Sequence, residues 1–182
     1  MHLTNPMNEL ELLLERWANF YLITSAAAAT LIGLLFVVIT LAAERKVEGV
    51  EDTAKIRVYL TPTVVYFASV LGVAALLSFP NHTRLTATLC ICLVGVVGLV
   101  YSGSILIGGD KKSYVDRHDL IPHASLPFMA YGLLVLGGVL LLYDTQRGLT
   151  FVAVGMLSLL TIAIRNSWAI AIGVVSTRPG RH

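Results

Sequence analysis

Five long apolar runs, separated by short polar or basic stretches, dominate the chain. They span residues 20–43, 61–79, 85–107, 126–143 and 149–175. At about 1.5 Å of rise per residue each can cross a hydrocarbon layer of about 30 Å, the fourth only just. A spanning segment has no water for its backbone, so each run is predicted to be helical. The expected fold is all-α: an integral membrane bundle of five transmembrane helices forming a single domain over residues 1–182.

Punctuation between the runs suggests their limits. Pro62 and Pro127 stand where the second and fourth helices are expected to start, a place where a missing amide costs nothing. Pro80, Asn81 and His82 predict one tight turn, and Gln146, Arg147 and Gly148 another. Ahead of the first run, Leu10, Leu13, Leu14 and Trp17 recur at helical spacing opposite Asn8, Glu11, Glu15 and Asn19. This predicts an amphipathic helix over 7–19, lying on the interface or running straight into the first span. Its acidic polar face suits a protein neighbour at least as well as an anionic lipid surface.

Composition agrees with the pattern. Hydrophobic residues make up 56% of the chain and charged residues 13%, against about 25% charged in soluble domains. The mean hydropathy is +0.78. A net charge of +2 from scattered basic residues leaves no footprint for nucleic acid. The first residues place Glu9, Glu11 and Glu15 beside a single Arg16, unlike a secretory leader, so the first run is expected to stay as an anchor. Cys90 and Cys92 point about 200° apart on a helix and read as small core residues.

Lys and Arg counts orient the chain. Arg16, Arg84 and Arg147 fall on one side. Arg45, Lys46, Lys55, Arg57, Lys111, Lys112, Arg117, Arg178 and Arg181 fall on the other, which the positive-inside rule makes cytoplasmic. The expected seating is in a bacterial inner membrane with the N-terminus outside and the C-terminus inside.

Candidate chemistry is sparse. Arg165 lies within the fifth run, in Ile164-Arg165-Asn166-Ser167-Trp168. A charge at the membrane centre costs about 2.5–3.5 kcal/mol on insertion scales. It can snorkel to the inner interface with Trp168 as its anchor, pair with Glu44 or Asp110, or bind an anion. Tyr101 and Asn166 join it as candidates for a transport path. Asp116, His118, Asp119 and His123 form a weak metal or proton-sensing candidate in the loop expected after the third run. No cofactor is expected, and no nucleophile–base or phosphate-loop motif points to an enzyme.

Small residues fall every three or four positions at Ser25, Ala29 and Gly33, at Gly95, Gly98 and Ser102, and at Ala169 and Gly173. In lipid, such stripes let helices approach closely, within a bundle or between subunits. Hydroxyls at Thr24, Thr30, Thr40, Tyr66, Ser69, Ser104, Tyr131, Ser158 and Thr161 can either line a polar path or bond between helices.

Three stretches together resemble a widespread set of small, uncharacterised, multi-pass bacterial integral membrane proteins. They are Trp17-Ala18-Asn19-Phe20-Tyr21 with Ser25 through Val38, His123 through Tyr131, and Ile164 through Trp168. The resemblance covers most of the chain. This chain has Asp119-Leu120 where such proteins carry an acid–aromatic pair, and Ala169 where they often carry an acid. The resemblance implies a topology and no activity.

Two functions follow as expectations. One is an oligomeric inner-membrane protein forming a conduction or transport path for small ions or solutes, built as a homo-oligomer in the lipid bilayer. The other is a non-conducting accessory, assembly or signalling subunit of another membrane complex.

Overall fold

A computed structural model describes residues 9–44, 50–80, 83–108 and 117–176. Five helices account for nearly all of them: α1 Glu9–Glu44, α2 Val50–Leu77, α3 Arg84–Gly108, α4 Arg117–Leu140 and α5 Thr145–Ser176. No strand occurs among the described residues. Four helices hold a stretch long and apolar enough to cross a membrane: Leu10–Leu41, Leu60–Leu77, Arg84–Ile105 and Thr145–Ile172. The apolar stretch of α4, Ser125–Leu140, is shorter, about 24 Å at helical rise. The four apolar helices are compatible with a multi-pass membrane protein.

α1 is one uninterrupted helix of 36 residues. The segment before the first apolar run therefore continues straight into it and forms no separate element. Leu10 is buried, and Leu13, Leu14 and Trp17 pack on the main core, while Glu15 and Asn19 are exposed. Trp17, Phe20 and Tyr21 pack ring on ring, with Trp17 and Phe20 edge to face at 5.5 Å.

Three boundaries differ from expectation. Pro62 lies inside α2, and Pro127 well inside α4. Neither marks a start, because each apolar helix extends into more polar turns that place the proline in its interior. The turn expected at Gln146, Arg147 and Gly148 also shifts. α4 stops at Leu140, Leu141–Tyr143 make the turn, and Gln146, Arg147 and Gly148 already belong to α5.

Asp144 explains this last change. Its carboxylate accepts the Arg147 N–H at 3.0 Å, and its carbonyl accepts the Gly148 N–H at 2.9 Å. That is an N-cap with the first helical bond already formed. Thr83 caps α3 in the same way. Its hydroxyl accepts the Thr86 N–H at 3.2 Å while the Thr86 hydroxyl accepts the Thr83 N–H at 3.0 Å, a capping box with Thr in the place of the usual Glu. Asn81 and His82 of the expected turn lie outside the described residues.

α5 occupies the middle of the arrangement and packs on α4, α2 and α1, while α3 packs chiefly on α4. Its buried positions Leu149, Val152, Met156, Leu159, Ala163, Asn166 and Ile170 recur every three or four residues and form one face. Tyr21, Phe67, Tyr131 and Met156 fill the core between the helices.

Glycines set the spacing of α3, α4 and α5. A Cβ on Gly148 would stand 2.7 Å from the Leu141 backbone nitrogen, and one on Gly137 would stand 2.7 Å from that of Val152. Gly155 lies against Leu134 and the Ala130 carbonyl, and Gly95 against Val135. Gly98 faces the ring of Tyr131. Close backbone approach of this kind replaces hydrophobic driving force in lipid.

Candidate functional site

Arg165 and Asn166 are adjacent on α5 but differ in surroundings. Arg165 is exposed, whereas Asn166 sits on the buried face with 6% of its surface accessible. Both line an open groove of about 490 Å³ between α4 and α5. Leu126, Met129 and Leu133 of α4 and Val154 and Leu157 of α5 make its apolar walls.

Ser158 and Thr161 also line the groove, but their hydroxyls donate to the Val154 and Leu157 carbonyls of their own helix, each at 2.8 Å. The polar character of the groove is therefore concentrated at the Arg165–Asn166 end. Among the described residues, neither the Asn166 amide nor the Arg165 guanidinium meets a hydrogen-bond or ion-pair partner. Trp168, three residues on, is 69% exposed.

Depth follows from the helical rise. Gly148 and Leu141 touch at the turn that joins the two helices. From there Arg165 lies about 26 Å along α5 and Leu126 about 22 Å along α4. Arg165 thus reaches the level at which the apolar part of α4 gives out.

Glu44 and Asp110 are the expected partners of Arg165. Asp110 is outside the described residues, and of Glu44 only its place at the end of α1 is described. Asp116 is likewise outside. His118, Asp119 and His123 fall in the first turns of α4, where a loop was expected. Among the described residues no group of three or more His, Cys, Asp and Glu side chains comes together as a metal site.

Most span hydroxyls are turned onto their own helices. Thr24, Thr30, Thr40, Ser69 and Ser104 donate to carbonyls three or four residues earlier, at 2.6–2.8 Å. Ser25 does so at 3.0 Å. This is the local back-bonding that serine and threonine adopt inside helices. Other bonds cross between helices, among them that of the Cys92 thiol to the Val135 carbonyl at 3.8 Å. The Tyr131 hydroxyl meets Ser69 Oγ at 2.8 Å, and Thr88 donates to the Gly138 carbonyl at 2.9 Å. The Tyr66 ring lies tilted against that of Tyr131, with centroids 6.2 Å apart. Tyr101 is half-buried and lies within electrostatic reach of Tyr131.

The small-residue stripes separate into two kinds. Gly95, Gly98 and Ser102 are buried, the two glycines against α4, and among the described residues Ser102 Oγ makes no hydrogen bond. Ala29 and Gly33 of α1 face outward, and nothing lies within 4 Å of a Cβ placed on Gly33. Ala169 is exposed, and the surroundings of Gly173 are not described. The close contacts at Gly137 and Gly155 belong to no small-xxx-small stripe in the sequence. Their partners are on the opposing helix, so the spacing within one helix gives no sign of them.

No protein-family model, curated protein or solved structure matches the chain. The resemblance to small multi-pass bacterial membrane proteins rests on its three sequence stretches, and what is established is the coarser class: a helical protein with four apolar candidate spans and a fifth, shorter apolar helix.

Proposed function

We propose that the chain is a non-conducting membrane protein of five spans, acting as an accessory or assembly subunit through the faces its helices turn outward. One observation carries this reading. The spaces between the helices hold fully buried Tyr21, Phe67, Tyr131 and Met156, and the span hydroxyls that would wet a path donate to their own backbones instead. A protomer packed this way favours docking over conduction.

In this reading α4 is the fifth crossing. Its 24 residues are about 36 Å long, enough to traverse the bilayer even though its apolar part is short. An odd number of crossings puts the termini on opposite sides. The basic residues concentrated on one side then seat the protein N-out and C-in, in a bacterial inner membrane.

A homo-oligomer with a path between subunits is the second reading. It is favoured by the Ser25–Ala29–Gly33 stripe, which faces out with open space at Gly33. Flux assays on proteoliposomes separate the two. The accessory reading expects potassium and chloride flux no greater than in protein-free vesicles, with a stoichiometric partner recovered on mild solubilisation. Flux that Tyr101→Phe or Arg165→Leu abolishes supports the path and overturns the accessory reading.

A further inference from the structure

We infer that the α4–α5 groove is a binding site for one anionic phospholipid, an acyl chain lying along its apolar walls and the phosphate held at the Arg165–Asn166 end. The inference goes beyond the accessory role and rests on the same five-span seating.

Three independent observations meet there. The first is shape and chemistry. The walls from Leu126 to Leu157 are apolar, and Ser158 and Thr161 keep their hydroxyls on their own helix. A hydrocarbon chain meets no unsatisfied donor along the groove, whereas a soluble polar ligand would find almost no partner. The second is Asn166, which is nine-tenths buried, faces the groove and has no hydrogen-bond partner among the described residues. Its amide opens on the groove, and a phosphate or glycerol oxygen at this end would accept from its N–H.

The third is charge at the right depth. Arg165 is exposed at the groove end, where the apolar stretch of α4 stops after about 24 Å, short of a hydrocarbon core of about 30 Å. A short apolar helix draws the headgroup layer inward beside it. The phosphate level is thereby brought down to the guanidinium, whose fork suits phosphate oxygens. Basic pockets between spans on the cytoplasmic side commonly take anionic headgroups.

The test uses the full chain in vesicles, with Trp17→Phe so that Trp168 remains as the single tryptophan of the original two. Trp168 lies about 60° round α5 from Arg165 and reports lipid at this site. Quenching is compared between brominated phosphatidylglycerol and brominated phosphatidylcholine. One guanidinium at an anionic headgroup corresponds to a preference of about fivefold for phosphatidylglycerol. Arg165→Gln should abolish the preference, Arg165→Lys should keep part of it, and Ser158→Phe, which fills the groove but leaves the charge, should weaken it.

Equal quenching by the two lipids, or an unchanged preference in Arg165→Gln, overturns the site. So does loss of the preference on adding millimolar inorganic phosphate, which would assign the anion to solution. Should Arg165→Gln not fold, the Lys and Ser158→Phe variants decide by the same criteria. Absence of preference without ion flux removes the lipid site alone. Flux with an intact preference removes the non-conducting reading alone.

Discussion

The hydroxyl of Tyr131 on α4 meets Ser69 Oγ on α2 at 2.8 Å, in the middle of the bundle. Ser69 spends its one proton on the Val65 carbonyl, also at 2.8 Å, so Tyr131 is the donor. The Tyr131 ring also fills the space left by Gly98 on α3. One side chain thus ties α4 to two neighbours, by a hydrogen bond on one side and by shape on the other.

Tyr131→Phe keeps the ring and removes the bond. The expected loss is about 0.6–1.7 kcal/mol, the range for hydrogen bonds between membrane helices. A double-mutant cycle with Ser69→Ala, read from unfolding in detergent, should return that coupling. Additive single effects would mean that the contact contributes nothing.

Gly148 and Gly137 should not tolerate a methyl group. The Cβ on Gly137 would press on the α5 main chain and that on Gly148 on the main chain of Leu141 in the α4–α5 turn, neither of which can swing aside as a side-chain tip can. Gly148→Ala and Gly137→Ala are each expected to lower stability by about 1–3 kcal/mol. Gly72→Ala, where nothing lies within 4 Å, should be neutral or stabilising by up to about 1 kcal/mol. Thermal unfolding of the three variants side by side checks the contrast.

Asp144→Ala should cost about 1 kcal/mol through loss of the α5 cap. The cap, more than the neighbouring ion pair, carries the effect. Asp144 and Arg147 meet at 3.2 Å, but their side chains are 43% and 79% exposed, and pairs so open to solvent contribute little. Arg147→Gln should therefore leave the unfolding midpoint nearly unchanged.

Self-association, if the α1 stripe mediates it, should respond to bulk at Gly33. A Cβ at Gly33 meets nothing within 4 Å, so Gly33→Leu is expected to leave folding unaffected while any oligomer seen in mild detergent dissociates. An oligomer that survives the substitution rules out this stripe as the contact.

Much of the fold could be read from the runs alone, because a long apolar segment in lipid has few conformations open to it. The helix ends could not. Pro62 and Pro127 read as starts, yet the extended helices absorb them in their interiors. Gly148 read as a turn residue, when its role is to let α5 approach Leu141. That role depends on a helix contact, which local sequence does not encode. The same limit applies to Arg165. Its oddity was visible as a charge in an apolar run, but the groove beside it exists only once α4 and α5 are paired.

The five-crossing seating underlies both the proposed function and the lipid site, and the side of the membrane on which each terminus lies tests it most directly. Cys90→Ser and Cys92→Ser remove both native thiols, after which single cysteines are placed at Thr4 and at Thr177 in separate variants. Labelling of intact cells with an impermeant maleimide should modify the Thr4→Cys protein and spare the Thr177→Cys protein until the membrane is opened. Labelling of both, or of neither, in intact cells would place the termini on one side and contradict an odd number of crossings.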